Sequence, residues 1–174
     1  MKRVAIQGER GSYSEEAAAQ YFEELEIVPC RWFSDAFEAI VGGRADYGII
    51  PIENSQAGSI NDTYDLLLQH DLPIVGEVDL PVRHCLLALP GVALADVKRV
   101  YSHPQALAQC EEFIARLGAE KVATQDTAGS ARLVQENGWH DAAAIASARA
   151  GALYGLEKLA EGIQTNANNR TRFV

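Results

Sequence analysis

The sequence is short of cysteine, of basic residues and of long apolar runs, and each shortage excludes a class of protein. Its three cysteines, Cys30, Cys85 and Cys110, form no Cys-x-x-Cys pair, which argues against a disulfide framework or a structural zinc site. A net charge of −9, from 15 Lys and Arg against 24 Asp and Glu, leaves little basic surface for nucleic acid or anionic lipid. No apolar run approaches the ~18 residues of a membrane span. We therefore expect a globular, cytoplasmic protein with reduced thiols and with neither a nucleic-acid nor a membrane partner.

Short apolar runs alternate with helical patterns, which predicts an α/β fold with a largely parallel sheet. A chain of 174 residues suits one domain or two small lobes. The predicted strands are 3–7, 47–52, 97–101, 122–124 and 142–146, with further extended segments at 73–80 and 83–89. The predicted helices are 12–25, 35–41, 59–69, 104–117, 127–136 and 147–154.

Two polar segments of the first half follow predicted strands, where α/β sheets place their ligands. Gly8-Glu9-Arg10-Gly11-Ser12 lacks the lysine of a phosphate-binding loop and the third glycine of a dinucleotide fingerprint, so a turn with a helix cap and a ligand loop both stay open. Pro51-Ile52-Glu53-Asn54-Ser55 groups a carboxylate, an amide and a hydroxyl. A solvated turn is its alternative interpretation.

Three segments of the second half each place a hydroxyl at the start of a helix. They are Ser102-His103-Pro104-Gln105, Asp126-Thr127-Ala128-Gly129-Ser130 and Ser147-Ala148-Arg149. Taken singly these are helix caps, each contributing about 1 kcal/mol. Taken together, their helix N-termini predict a cradle of backbone amides for an anion. His103 is a candidate acid or base, with a cap as the alternative.

The C-terminal segment Asn169-Arg170-Thr171-Arg172-Phe173 carries two of the few cations of an acidic chain. A planar guanidinium suits bidentate binding of a carboxylate. A solvated terminus is the alternative.

Taken in order, these segments resemble the catalytic domain of prephenate dehydratase over essentially the whole chain. The family's glycine-rich opening corresponds to 8–14, with Glu9, Ser12 and Tyr13 where proline, threonine and phenylalanine are usual. The Pro-Ile-Glu-Asn-Ser motif is intact at 51–55. The other matches are Ser102-His103-Pro104-Gln105-Ala106-Leu107, Asp126-Thr127-Ala128-Gly129, Ala144-Ile145-Ala146-Ser147, Tyr154-Gly155-Leu156 and the closing Thr171-Arg172-Phe173.

The resemblance implies a two-lobed fold like the type 2 periplasmic-binding proteins, with a ligand cleft between the lobes. Lobe one would comprise about 1–78 plus 163–174, and lobe two about 79–162. The sequence stops one residue past Phe173, where related enzymes carry a regulatory ACT module that binds phenylalanine. We therefore expect insensitivity to phenylalanine as a feedback inhibitor.

The resemblance also implies an activity: decarboxylating dehydration of prephenate to phenylpyruvate in L-phenylalanine biosynthesis. This is a carbon–oxygen lyase reaction without a metal or cofactor, carried out by a homodimer or higher homo-oligomer. Arogenate, the aminated analogue, is an alternative substrate, and a non-catalytic module that binds a small carboxylate is an alternative function. The implied catalytic residues are Thr171, Arg172, Glu53 and Asn54, and the implied substrate-binding residues are Ser55, Ser102, Gln105, Thr127, Ser147 and Phe173. Thr171 would assist departure of the ring hydroxyl, and Arg172 would hold a carboxylate.

Overall fold

The computed structural model describes all residues from Met1 to Val174. Its strands are β1 (Lys2–Gln7), β2 (Leu25–Cys30), β3 (Tyr47–Ile49), β4 (Pro51–Asn54), β5 (Gly58–Ser59), β6 (Val78–Pro81), β7 (Cys85–Ala88), β8 (Arg99–Ser102), β9 (Glu120–Ala123), β10 (Ala142–Ala146), β11 (Glu157–Glu161) and β12 (Arg170–Phe173). Its α-helices are α1 (Tyr13–Tyr21), α2 (Phe33–Val41), α3 (Asn61–Gln69), α4 (Pro104–Gln109), α5 (Glu111–Leu117), α6 (Thr127–Asn137) and α7 (Ala148–Tyr154).

The chain divides into two compact units. Unit 1 comprises Met1–Val82 with Asn168–Val174, and unit 2 comprises Arg83–Ala167. These boundaries lie a few residues after the positions near 78 and 163 that were expected from the sequence. Each unit is described here by itself.

Unit 1 contains two small sheets. The first is parallel, with strand order β2-β1-β3, and the second is antiparallel, with order β5-β4-β12-β6. The C-terminal strand β12 lies in the middle of the second sheet, so the tail is an integral strand. The chain passes from one sheet to the other at Ile50, whose backbone exchanges two hydrogen bonds of 2.9 Å with Val174. The strand predicted over 47–52, which was expected to end or lie at an edge near Pro51, is therefore two strands: β3 ends at Ile49, and Pro51 begins β4, a position that proline tolerates.

Unit 2 contains one mixed sheet of order β11-β7-β10-β8-β9, in which β10, β8 and β9 run parallel. Four of the five residues of β10 are alanines, and all five are fully buried. Small side chains let helices approach both faces: Ala143 and Ile145 pack towards Leu107 and Ile114, whereas Ala144 belongs to the other core cluster. The expectation of one largely parallel sheet is wrong for the molecule, because the second sheet of unit 1 is wholly antiparallel.

Strand β2 is the clearest miss of the sequence analysis, which extended the first helix to about residue 25. Helix α1 ends at Tyr21, and the next residue, Phe22, is already extended. Strand β2 then pairs with β1 along six residues, with Pro29 opposite Ile6. Proline is tolerated there because β2 is an edge strand, where an N–H facing solvent is dispensable. The predicted helix over 104–117 is likewise two helices, separated at Cys110.

No helix in either unit is long and apolar enough to cross a membrane. All three cysteines are buried, and none of them forms a disulfide bond. Burial raises the pKa of the Cys110 thiol to about 12, so this thiol is inert at neutral pH.

Candidate active site

Thr171 lies on the central strand of the antiparallel sheet of unit 1. It pairs with Asn54 on one side and with Leu80 on the other. Side chains of successive residues point to opposite faces of a strand, so Thr171 shares its face with Leu80, which is fully buried. Thr171 itself is half-buried and lies at the edge of that apolar core. The fold thus places the hydroxyl beside the amide of Asn54.

Asn54 is the centre of a hydrogen-bond network that joins the Pro-Ile-Glu-Asn-Ser segment to the tail. Its Oδ1 accepts from the backbone N–H groups of Gln56 and Ala57, each at 3.0 Å. Its Nδ2 donates to Asn169 Oδ1 at 2.9 Å and lies 3.0 Å from both Arg170 O and Thr171 Oγ1. Asn54 and Asn169 are 4% and 2% exposed. The sequence analysis noted Asn169 only as part of the tail.

Ser55 holds the same tail from the exposed side. Its Oγ accepts from the backbone N–H of Arg170 at 2.9 Å and donates to Asn168 O at 3.0 Å. The Ser55 hydroxyl therefore both accepts and donates a hydrogen bond within the protein.

Glu53 and Arg172 lie on the other face of the sheet from Thr171. They pair across β4 and β12, and both side chains are exposed. The Arg172 guanidinium forms an ion pair with Glu77, with 2.9 Å from Nε and 2.6 Å from Nη2 to the same carboxylate oxygen. This hydrogen bond raises the pKa of Arg172. The structure therefore does not bring Arg172 to the Thr171 hydroxyl, because adjacent strand residues alternate in direction.

Phe173 is a core residue in the structure and not a surface available to a ligand. It is 2% exposed and packs with Val4, Ile6 and Leu80. A side chain enclosed in this way anchors the last strand, so the expected substrate-binding role of Phe173 is not supported.

The glycine-rich opening forms a tight turn between β1 and α1. Gly8 and Gly11 have φ of 96° and 88°, values that favour glycine over residues with a side chain. Ser12 caps α1 through a 3.3 Å bond from the backbone N–H of Glu15, as its sequence pattern predicts. The Glu15 carboxylate is buried and accepts from the backbone N–H of Gly11 at 2.5 Å. This hydrogen bond from the loop to the first turn of α1 holds the turn against the helix.

In unit 2, three of the predicted site segments share one edge of the sheet. Strands β10, β8 and β9 are parallel neighbours, so their carboxyl ends point the same way. Ser147 follows β10, His103 follows β8, and Asp126 closely follows β9. Each of these three residues accepts a hydrogen bond from the first turn of its helix: Ala150 N to Ser147, Gln105 N to His103 and Gly129 N to Asp126. The three helix N-termini thus begin along one edge.

Two of the four unit 2 residues predicted to bind substrate direct their hydroxyls into the protein. Ser102 is fully buried, and its Oγ donates to Ile145 O at 2.6 Å, which ties β8 to β10. Ser147 is 1% exposed and caps α7. Gln105 is exposed and Thr127 half-buried, so their side chains are the more accessible pair.

Asp126 organises the start of α6. Its Oδ1 accepts from Gly129 N at 2.6 Å, and a Cβ added at Gly129 would lie 2.9 Å from Asp126 Oδ2, so the cap requires glycine there. Burial lowers the pKa of His103, and the charge of Asp126 opposes that shift. Since His103 Nδ1 accepts from Gln105 N, a neutral imidazole carries its hydrogen on Nε2 and can donate one hydrogen bond from there.

The sequence analysis missed a polar cluster beside the points where the chain enters and leaves unit 2. His84 is 2% exposed, its Nε2 lies 2.7 Å from Gln109 Oε1, and its backbone N–H donates to Gln164 Oε1 at 3.0 Å. Burial lowers the pKa of His84, opposed by the Gln109 hydrogen bond. No group of three or more His, Cys, Asp or Glu side chains in the structure could hold a metal ion.

The order of these segments along the chain agrees with one known family. Residues 4–174 match the family model described as prephenate dehydratase. The chain belongs to the prephenate dehydratase family. The resemblance found in the sequence is therefore confirmed over nearly all of its length.

Two similar curated relatives come from plants. Arogenate dehydratase 1 of Petunia hybrida is 55% identical over 174 residues, covering 99% of this chain and 41% of that protein. The chloroplastic arogenate dehydratase/prephenate dehydratase 2 of Arabidopsis thaliana is 52% identical over 172 residues, covering 99% of this chain and 45% of that protein. The chain thus spans less than half the length of these relatives.

Solved structures confirm the two-lobed periplasmic-binding-protein-like fold. The prephenate dehydratase from Arthrobacter aurescens, solved in complex with L-Phe, aligns with a TM-score of 0.90 at 33% identity, over 98% of this chain and 58% of that chain. A protein described as a novel type of quorum-quenching acylase aligns with a TM-score of 0.90 at 41% identity, over 99% of this chain and 62% of that chain. A periplasmic substrate-binding protein of Coxiella burnetii, with a TM-score of 0.51 at 15% identity over 100% of this chain and 84% of that chain, shares the fold alone.

Proposed function

We propose that the chain is the catalytic part of a carbon–oxygen lyase of L-phenylalanine biosynthesis, which converts prephenate to phenylpyruvate or arogenate to phenylalanine. The observation that carries this proposal is the match of residues 4–174 to the prephenate dehydratase model. Arogenate is named in the plant relatives, in some of them together with prephenate, whereas the family model is described by prephenate, so both substrates are candidates. Comparing kcat/KM on prephenate and on arogenate decides between them.

The proposed chemistry balances without a cofactor or metal. The bond from the ring to its carboxylate breaks and releases carbon dioxide, and its electron pair enters the ring. The ring becomes aromatic as the carbon–oxygen bond breaks and the hydroxyl leaves. The departing oxygen takes up one proton and is released as water. Because aromatisation supplies the driving force, the protein has to orient the substrate and stabilise the leaving oxygen.

Unit 1 supplies the Thr171 hydroxyl in this proposal, as the group that donates a hydrogen bond to the leaving oxygen. A threonine hydroxyl is a weak acid, so its effect comes from a fixed position rather than from a shifted pKa. Asn54 and Ser55 hold the strand that carries Thr171. The catalytic roles of Glu53 and Arg172 are proposed from the family resemblance alone. To bind a substrate carboxylate, Arg172 would have to break its ion pair with Glu77.

Within unit 2, we propose the helix N-termini of α4, α6 and α7 as groups that attract carboxylates. Gln105 and Thr127 are the proposed side-chain contacts, whereas Ser102 and Ser147 position the backbone around them. Carboxylates favour helix N-termini because the orphan N–H groups and the helix dipole both attract negative charge.

A second candidate, acylase activity, is favoured by the 41% identity to the quorum-quenching acylase. An assay with an acyl-amide substrate, run beside the prephenate assay, discriminates between the two. The binding-module alternative predicts saturable binding of prephenate without turnover.

We also propose a cytoplasmic homodimer. Three buried thiols that form no disulfide fit a reducing compartment. Unit 1 exposes several apolar side chains, among them Leu68 at 87%, Val75 at 64% and Val41 at 63%, which contact with a second copy would remove from water. Light scattering at micromolar concentration should give twice the mass of the chain, and the mass of a monomer would contradict the proposal.

A further inference from the structure

We propose that Asn54 is the positioning residue that makes Thr171 a hydrogen-bond donor towards the substrate, an inference that rests on the proposed dehydratase function. This role follows from the direction of each hydrogen bond around the Asn54 amide. It assigns a role to Asn54 that acts through Thr171 and needs no contact with the substrate.

The orientation of the Asn54 amide follows from its backbone partners. Gln56 N and Ala57 N both lie 3.0 Å from one atom of the amide, and a backbone N–H can only donate. That atom must be the oxygen, because a rotated amide would set its NH2 group against two donors. The turn after β4 thus fixes the orientation of the Asn54 amide by itself, independently of the tail.

The nitrogen of the amide is consequently directed at the tail. Its three neighbours, Asn169 Oδ1, Arg170 O and Thr171 Oγ1, are all oxygens at 2.9–3.0 Å. An amide NH2 group carries two hydrogens, which these three oxygens share, and it accepts none, so Thr171 Oγ1 can only be an acceptor in this contact. With Asn54 and Asn169 almost fully buried, water does not compete for the bond.

The consequence concerns the hydrogen of the Thr171 hydroxyl. One lone pair of Oγ1 faces Asn54, and this bond is the one that the structure gives to the Thr171 side chain. The hydroxyl hydrogen is therefore left to point away from Asn54, at the half-buried edge of unit 1. A hydroxyl that accepts one hydrogen bond is polarised into a better donor of the next. A hydroxyl hydrogen directed away from Asn54 can donate a hydrogen bond to the leaving oxygen of the substrate and so stabilise it.

Asn54→Asp reverses this polarity while keeping the shape of the side chain and the two acceptor bonds of the turn. An ionised carboxylate only accepts, so Thr171 would donate its hydrogen to it and lose it for the substrate. At pH 8 we expect kcat to fall about 10–100-fold, with KM little changed, on the substrate that the wild type uses. As the pH falls, the carboxyl protonates and can donate again, so the ratio of variant kcat to wild-type kcat should rise.

A double-mutant cycle tests the route through Thr171. After Thr171→Val, which removes the hydroxyl but keeps the volume, Asn54→Asp should cause no further loss of kcat beyond about 2-fold. Thr63→Val is the matched control, because Thr63 Oγ1 is fully buried and donates to Pro51 O at 2.9 Å on the same strand β4. This control should lower the melting temperature without any change in the pH profile of kcat.

A measurement on the wild-type fold keeps the inference testable if Asn54→Asp does not fold. In NMR spectra, Thr171→Val should shift a side-chain NH2 resonance of Asn54 and leave the backbone amide signals of Gln56 and Ala57 in place. An unmoved NH2 resonance overturns the inference, and so does a pH-independent kcat ratio in an active Asn54→Asp enzyme. A wild-type chain that is inactive on prephenate and arogenate overturns the proposed function, and this inference with it.

Discussion

At the scale of single residues, Thr171 and Arg172 are neighbours in sequence but lie on opposite faces of the sheet. Thr171 pairs with Asn54 and Leu80, whereas Arg172 pairs with Glu53 and Asp79. Replacing Thr171 and replacing Arg172 should therefore have different effects on kcat and KM.

Replacing Thr171 tests the proposed hydrogen bond to the leaving oxygen. Thr171→Val should lower kcat by about 10²–10⁴-fold with KM little changed, because the interaction forms as the hydroxyl departs. Thr171→Ser keeps the hydroxyl and should retain much more activity. Steady-state kinetics measured beside melting curves check both variants. A stable Thr171→Val protein with near-normal kcat removes Thr171 from the mechanism.

Replacing Arg172 tests whether this guanidinium binds a substrate carboxylate. The ion pair with Glu77 is exposed, and exposed ion pairs contribute little to stability. Lysine keeps the charge but not the two-pronged hydrogen bonding of a guanidinium, so Arg172→Lys should raise KM clearly, with the melting temperature unchanged, if Arg172 leaves Glu77 to bind a substrate carboxylate. A change in KM and kcat of less than about 3-fold would contradict that role and leave Arg172 as an exposed ion pair with Glu77.

The polar segments at 51–55 and 169–173 could be singled out from the sequence, but the directions of the hydrogen bonds between them could not. The motif at 51–55 and the tail at 169–173 were both singled out from the residue types that they combine. Their contact, between residues 117 positions apart, arises from the antiparallel pairing of β4 and β12. No local pattern encodes that pairing. The same holds for Phe173, which resembles a motif residue in the sequence and is a core residue in the fold.

At the scale of elements, local sequence signals predicted the helices that begin with a capping residue. Asp126 caps α6 and Ser147 caps α7, as their positions before apolar helical patterns indicated. Strand β10 was predicted with its observed bounds. Strand β2 was missed because Pro29 and the acidic residues around it disfavour a strand locally, and pairing with β1 overrides that preference.

The buried His84 predicts how the stability of unit 2 responds to acid. Burial holds its pKa below the ordinary value of about 6.5, so the unfolded chain takes up a proton at a higher pH than the folded chain does. The free energy of unfolding should therefore decline as the pH falls from about 6.5 towards the lower pKa of the folded state. Burial shifts His103 in the same direction.

His84→Gln separates the two histidines, because His103 is unchanged in both proteins and glutamine can still bond to Gln109. Denaturant unfolding between pH 7.5 and pH 5 should show a shallower decline for the variant than for the wild type. Equal slopes would show that His84 does not contribute to the acid sensitivity.

At the scale of the whole molecule, the order of motifs predicted the two-lobed fold and the family, which the structure and the related proteins confirm. Composition and periodicity alone led no further than an α/β protein with few cations. Composition and periodicity could not predict the mixture of parallel and antiparallel sheets, because the insertion of the tail strand between β4 and β6 leaves no local pattern in the sequence.

The most direct test of the account is the formation of aromatic product by the purified chain. Prephenate and arogenate are supplied in separate reactions, and phenylpyruvate or phenylalanine is measured against a buffer blank and against Thr171→Val. The account predicts that the wild type consumes at least one substrate far above the blank, and that Thr171→Val is slower by about 10²-fold or more. It is contradicted if the folded wild type forms neither product above the blank, or if Thr171→Val matches the wild type.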